Sequence, residues 1–181
     1  MADLLNNADE RELSLWLRDY ADERLGRQIA RRVVSERKAR PFTTTTQFAE
    51  LVREVYPPKD RFGRIHPATR SFQALRIVAN DEMGGVDRGV RACMDVLAPG
   101  GRLAVLSFHS IEDRLVKKIF RAASDPRPDP KNPYSATTTE GIAFEQENRD
   151  AIQCSEEESD ENPRARSAKL RTIRRKLEAA S

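Results

Sequence analysis

Residues 97–121, LAPGGRLAVLSFHSIEDRLVKKIFR, decide the fold. Pro99-Gly100-Gly101 is a turn, and the run from Arg102 to Phe108 after it is short, apolar and continuous. Such a run is expected of a strand buried on both faces of a mainly parallel sheet. Ser110 to Asp113 has the spacing of a capping box, and it opens a helix whose apolar positions are Leu115, Val116, Ile119 and Phe120. Upstream, a helix is expected from about Val86 to Leu97, after Gly84-Gly85 has interrupted the pattern. The order helix, strand, helix over 86–123 is an α/β unit. Ligands of open α/β sheets bind beyond the carboxyl ends of the strands. Ser107, His109 and Ser110 fall there, although Ser110 also suits a helix cap and His109 a structural hydrogen bond.

Working toward the N-terminus, IHPATRSFQALRIVANDEM (65–83) starts a helix at His66-Pro67, with Phe72, Leu75, Ile77, Val78 and Ala79 as a broad apolar face. The first sixty residues read as short amphipathic helices. Asp9 caps one with Leu13, Trp16, Leu17 and Tyr20 at helical spacing, and Asp22 is expected to cap the next, striped by Leu25, Ile29 and Val33. Pro41 stops that helix, and Thr44 with Gln47 is spaced as a capping box for a third, with Phe48, Leu51, Val52 and Val55 inward. Working toward the C-terminus, the pattern dissolves between 124 and 154. Asp125-Pro126, Asp129-Pro130, Asn132-Pro133 and Thr137-Thr138-Thr139 mark a turn-rich surface loop. Ser155 then caps a short acidic helix, and Ser167 to Ile173 reads as a closing strand with Ala168 and Leu170 buried.

Composition narrows the function. At 181 residues, 38% hydrophobic and with mean hydropathy -0.70, the chain suits a core shared with further sequence or one carrying long solvated segments. It has no apolar run of about 18 residues to cross a membrane and no secretory signal pattern. Cys93 and Cys154 lack ligand-like spacing, as expected of unpaired thiols in a reducing cytoplasm. The net charge of +3 hides segregation. Residues 24–40 carry Arg24, Arg27, Arg31, Arg32, Arg37, Lys38 and Arg40 against Glu36 alone. A second basic run holds Arg164, Arg166, Lys169, Arg171, Arg174, Arg175 and Lys176, next to an acidic cluster from Glu156 to Glu161. Clusters of this density either track phosphates or are solvated helix faces.

The sequence has neither a G-x-x-x-x-G-K phosphate loop nor a G-x-G-x-x-G dinucleotide fingerprint. Asn132-Pro133-Tyr134 superficially matches an amine-methylating Asn-Pro-Pro-Tyr motif but lacks one proline and sits among turns, so it is set aside as a decoy. With His66 and His109 as the only histidines, and His109 adjoining its candidate serine, no nucleophilic triad is convincing.

Three blocks together go beyond composition: HPATRSFQALRIVANDE (66–82), LAPGGRLAVLSFHSIEDRLVKKIFR (97–121) and NPRARSAKLR (162–171). They resemble the bacterial 16S ribosomal RNA cytosine-N4 methyltransferase family, known as MraW or RsmH. DLLNNADERELSLWL, RLGRQIARRVV and TTTTQFAELV near the start are similar to that family's helical insert. The resemblance implies a partial Rossmann-like class I methyltransferase domain, residues 61–181, interrupted by a substrate-recognition insert at 1–60. It implies S-adenosylmethionine as methyl donor, a decoding-region cytosine of 16S rRNA in the small ribosomal subunit as target, and a cytoplasmic location. No membrane partner is expected, and a homodimer is left open.

The family's Gly-Gly-His loop and Asp-Leu-Gly-Val-Ser-Ser segment, together with its acidic residue after the second strand, are absent from these residues. No cofactor-binding residue is therefore carried over, and the chain alone is expected to be inactive. The alternatives are a non-catalytic RNA-binding module and one half of a split enzyme. Ser107, His109 and Ser110 are expected to border the target base, with no catalytic residue assigned. Arg31, Arg32, Arg70, Gln73, Arg76, Asn80, Arg164, Arg166, Lys169 and Arg171 are the candidate RNA contacts, and no metal ligand is expected.

Overall fold

A computed structural model describes residues 1–125 and 142–177, which form two compact units, Met1–Glu82 and Met83–Ser181. The first unit is helical: α1 (Ala2–Asn7), α2 (Glu10–Ala21), α3 (Gly26–Ala39), α4 (Thr45–Val55) and α5 (Ala68–Ala79), with a 3-10 turn at Pro58–Asp60. The Thr44 box forms as expected, and the expected Asp9 cap proves to be a full box. Asp9 accepts from the Glu12 amide at 2.7 Å while Glu12 accepts from the Asp9 amide at 3.0 Å, and Thr44 and Gln47 make the same reciprocal pair. Each box satisfies amides that a helix start leaves without partners.

Asp22 does not start α3. It ends α2 in the left-handed region at φ 47°, and α3 begins at Gly26 after Leu25. The reason lies in the α2–α3 crossing: a β-carbon at position 26 would sit 3.1 Å from the Leu17 Cβ, so the chain turns through Asp22 before a glycine that permits close approach. The shared core gathers Leu13, Leu17, Ile29, Ala30, Val33, Phe48, Leu51, Val52, Ala74 and Leu75. Phe48 meets Phe42 and Phe72 edge-on at ring separations of 6.4 and 5.2 Å. Because α5 packs on α2 and α4, the compact unit runs to Glu82, past the 1–60 span read from sequence. The start of α5 lies one residue beyond Pro67, where the His66 Nδ1 accepts from the Ala68 amide at 3.1 Å.

The second unit comprises α6 (Glu82–Asp95, beginning at the boundary), β1 (Arg102–Ser107), α7 (Ser110–Ser124), β2 (Phe144–Glu145), α8 (Glu156–Glu161) and β3 (Lys169–Arg175), with a 3-10 turn at Ala165–Ser167. α6 runs through Gly84-Gly85, which therefore do not interrupt it; Gly85 meets nothing within 4 Å. The strands order as β1-β3-β2, both pairings antiparallel, with Arg102 opposite Arg174 and Ser107 opposite Lys169.

Three sequence expectations change here. β1 is not covered on both faces: Leu103 and Val105 pack toward the core of Val90, Met94, Val116, Ile119, Phe120 and Ile173, whereas Leu106 on the other face is 54% exposed. Side chains alternate along a strand, so one helix layer covers one set only. In β3 the buried residues are Arg171 and Ile173, while Ala168 and Leu170 are half-buried, because the phase of the strand places the odd-numbered set against that layer. The span 124–154 is not wholly loop, since it supplies β2 and a bridge between Ile152 and Leu170. Asp129-Pro130, Asn132-Pro133-Tyr134 and the threonine run lie outside the described residues.

Candidate functional site

The carboxyl end of β1 carries the first group of candidates. Ser107 is buried, and its Oγ donates to the Lys169 carbonyl at 3.3 Å, tying β1 to β3. His109, in extended backbone at φ −120°, is the N-cap of α7: its Nδ1 accepts from the Ile111 amide at 3.3 Å. Ser110 is thus the exposed first residue of the helix and not its cap. The capping-box reading fails by one residue because a histidine ring nitrogen does the work usually done by a serine hydroxyl.

One turn into α7, Asp113 faces inward and forms the buried polar centre of this unit. Arg171 Nε and Nη2 donate to its two carboxylate oxygens at 2.6 and 3.2 Å, and Lys169 Nζ stands 3.5 Å away. Arg171 Nη1 donates to the Arg149 carbonyl at 3.2 Å. Burial pushes the Asp113 carboxyl up, but the hydrogen bond and charge of Arg171, joined by Lys169, outweigh it and hold the carboxyl below its ordinary value. Each guanidinium nitrogen of Arg171 donates within this unit and the residue is 7% exposed, so its guanidinium is turned inward and not toward solvent. This sets it apart from the other candidate RNA contacts, with which the sequence alone groups it. Its charge is neutralised by Asp113.

On the side of the sheet away from α7 a groove of about 460 Å³ opens between Leu106, Phe108, Ile152, Cys154, Arg164 and Leu170. Phe108 is 57% exposed, and Arg164 supplies a guanidinium at the rim. An aromatic face and aliphatic walls with one cation at the edge suit a flat, partly polar heterocycle. Arg166 is exposed on the 3-10 turn.

The remaining candidates belong to the helical unit. Arg31 faces Glu10 at 3.7 Å and Arg32 faces Glu54 at 3.3 Å, both on the exposed side of α3. Arg76 Nε donates to Glu82 at 2.8 Å and the Asn80 amide to the same carboxylate at 3.4 Å, so these two close the end of α5. Arg70 is exposed and Gln73 half-buried on the same helix. Arg31, Arg32, Arg76 and Asn80 are themselves exposed and have acidic neighbours, pairings open to exchange for phosphate.

Sequence reasoning missed the Asp113–Arg171 pair. The signal was present: Asp113 stands three and seven residues before Val116 and Phe120, inside the apolar stripe of α7. A carboxylate in such a stripe requires a buried cation. It also missed the apolar side chains at the tip between α4 and α5, where Phe62 is 81% and Ile65 70% exposed.

Comparison with known proteins gives this geometry a context. The model of the MraW methylase family matches residues 1–176. A ribosomal RNA small subunit methyltransferase H of Nostoc sp. is 45% identical over 177 residues, 98% of this chain and 52% of that protein. Proteins of the same name from Trichlorobacter lovleyi (46% over 171 residues, 94% of this chain and 54% of the relative) and Deinococcus radiodurans (44% over 170, 94% and 48%) are similar to a like extent. The chain spans about half the length of the curated relatives it matches.

Proposed function

This chain belongs to the MraW methylase family, and from that premise we propose that it forms the RNA-facing part of an S-adenosylmethionine-dependent rRNA methyltransferase. Its target is the N4 amine of a decoding-region cytosine in 16S rRNA, which carries with it a cytoplasmic location. The observation that carries the reading is the groove at the carboxyl end of β1, where Phe108 and Arg164 offer a face and a charge to a base. Stacking on an exposed aromatic ring is how proteins hold a base that has left its helix.

The residues described do not by themselves fit the methyl donor. The Gly100-Gly101 turn lies at the amino end of β1, hydrogen-bonded to Arg175, and so points away from the groove. The one carboxylate buried in this unit among the described residues, Asp113, is already paired with Arg171. No step is therefore derived through the cofactor, whose ligands we place in sequence beyond these 181 residues. What the chain contributes is orientation. His109 fixes the start of α7, and Asp113 and Arg171 fix α7 against β3, the strand whose Leu170 lines the groove.

The test is methyl transfer from tritiated S-adenosylmethionine to 16S rRNA. The chain alone is expected to give none. Adding a polypeptide that carries the Gly-Gly-His and Asp-Leu-Gly-Val-Ser-Ser segments is expected to restore incorporation, and F108A to reduce the restored rate at least about ten-fold. Micromolar binding of S-adenosylmethionine to the chain by itself, in a calorimeter, would overturn the assignment of the donor site.

A further inference from the structure

The segment between α4 and α5 reads PPKDRFGRIHPATR (57–70), and it presents its apolar side chains to solvent. Phe62 is 81% exposed and Ile65 70%. Both ends of the tip are held. Arg61 Nε donates to the Tyr56 carbonyl at 2.8 Å and its Nη2 to the Glu54 carbonyl at 2.9 Å, while His66 caps the amide of Ala68. The Arg53 guanidinium lies over the Phe62 ring, 6.0 Å from its centroid, on one side. The exposure of the residue leaves the ring's other side open.

Charge along this segment is one-sided. Lys59, Arg64 and Arg70 are exposed and make no ion pair among the described residues, whereas the nearby acids are engaged: Asp60 with Arg24 at 2.6 Å and Glu54 with Arg32 at 3.3 Å. A lone exposed phenylalanine backed by a cation and flanked by uncompensated cations is poorly suited to a neutral partner. It is well suited to a polyanion whose flat groups are free to stack. Duplex RNA keeps its bases stacked on one another and offers this ring nothing.

We propose that Phe62 is a stacking platform for an unpaired RNA base, with Lys59, Arg64 and Arg70 tracking the adjoining phosphates. The site is distinct from the groove beside β1 and rests on the rRNA methyltransferase reading only for the identity of the polyanion.

The experiment uses the whole chain and a single-stranded oligouridylate of about a dozen nucleotides with a central 2-aminopurine, read by anisotropy and by 2-aminopurine emission. F62A is expected to weaken binding about ten-fold and to abolish the emission change, F62W to retain both, and R64E to flatten the dependence of affinity on salt. Far-UV circular dichroism of each variant shows whether the fold survives. Wild-type binding that F62A leaves unaltered in affinity and emission overturns the platform while the RNA reading stands. Absence of wild-type binding to this oligonucleotide and to 16S rRNA alike overturns both. Phe62-dependent binding to phosphatidylserine vesicles, with no Phe62 effect on RNA, also overturns it.

Discussion

Asp113 shows how one side chain sets the chemistry around it. The residue is 6% exposed and its carboxylate accepts from two guanidinium nitrogens, so removing either partner leaves a buried charge alone. We expect D113N to lower the unfolding free energy by about 3–5 kcal/mol, measured in urea. The double variant D113L/R171M should recover part of that loss, because neither charge is then stranded. Ser71 is the opposite case. It is fully buried in the helical unit and its Oγ has no hydrogen-bond partner, so S71A should be neutral or stabilising by up to about 1 kcal/mol.

At the scale of elements, the turn before β1 depends on backbone freedom. Gly100 adopts φ 79°, its amide donates to the Arg175 carbonyl at 2.9 Å, and a β-carbon at Gly101 would lie 2.8 Å from the Ala98 carbonyl oxygen. G100A should destabilise by about 1–2 kcal/mol and G100N by less, since asparagine tolerates the left-handed region. G101A should be worse than either, because its clash is with backbone.

The same turn shows what was legible beforehand. Pro99-Gly100-Gly101, the apolar run after it and the capping residues Asp9, Thr44 and Ser155 all announce themselves by local chemistry. What was not legible depends on a partner distant in sequence. The phase of β3 is fixed by α7, the late start of α3 by the close approach of Gly26 to Leu17, and the burial of Arg171 by an aspartate 58 positions away. The exposure of Phe62 is likewise invisible in a string of letters, because only packing decides which apolar residue is left out.

For the whole molecule, the two units carry opposite pH liabilities. Asp113, held below its ordinary value, stabilises the second unit above the pH at which an unfolded aspartate ionises, near 4. That contribution is lost as pH falls through the lower folded value. Tyr56 in the first unit is pushed up to about 12 by burial and by donation to Glu23 at 2.7 Å. Its contribution is complete below pH about 10 and disappears as pH rises from there toward 12. Hydrogen exchange below pH about 4 should therefore open peptides of β1, α7 and β3 first. The fluorescence of Trp16, the chain's single tryptophan, should report alkaline loosening of the helical unit, and Y56F should shift that transition.

One consequence concerns how the chain must be handled. β1 stands at the rim of the sheet among the described residues, with Ala104 and Leu106 open on its uncovered face. An unsatisfied strand rim is a template for another strand, including that of a second molecule. Stock concentration is therefore an experimental variable in its own right: light scattering should rise with protein concentration at low ionic strength, and a lysine at position 104 should suppress it.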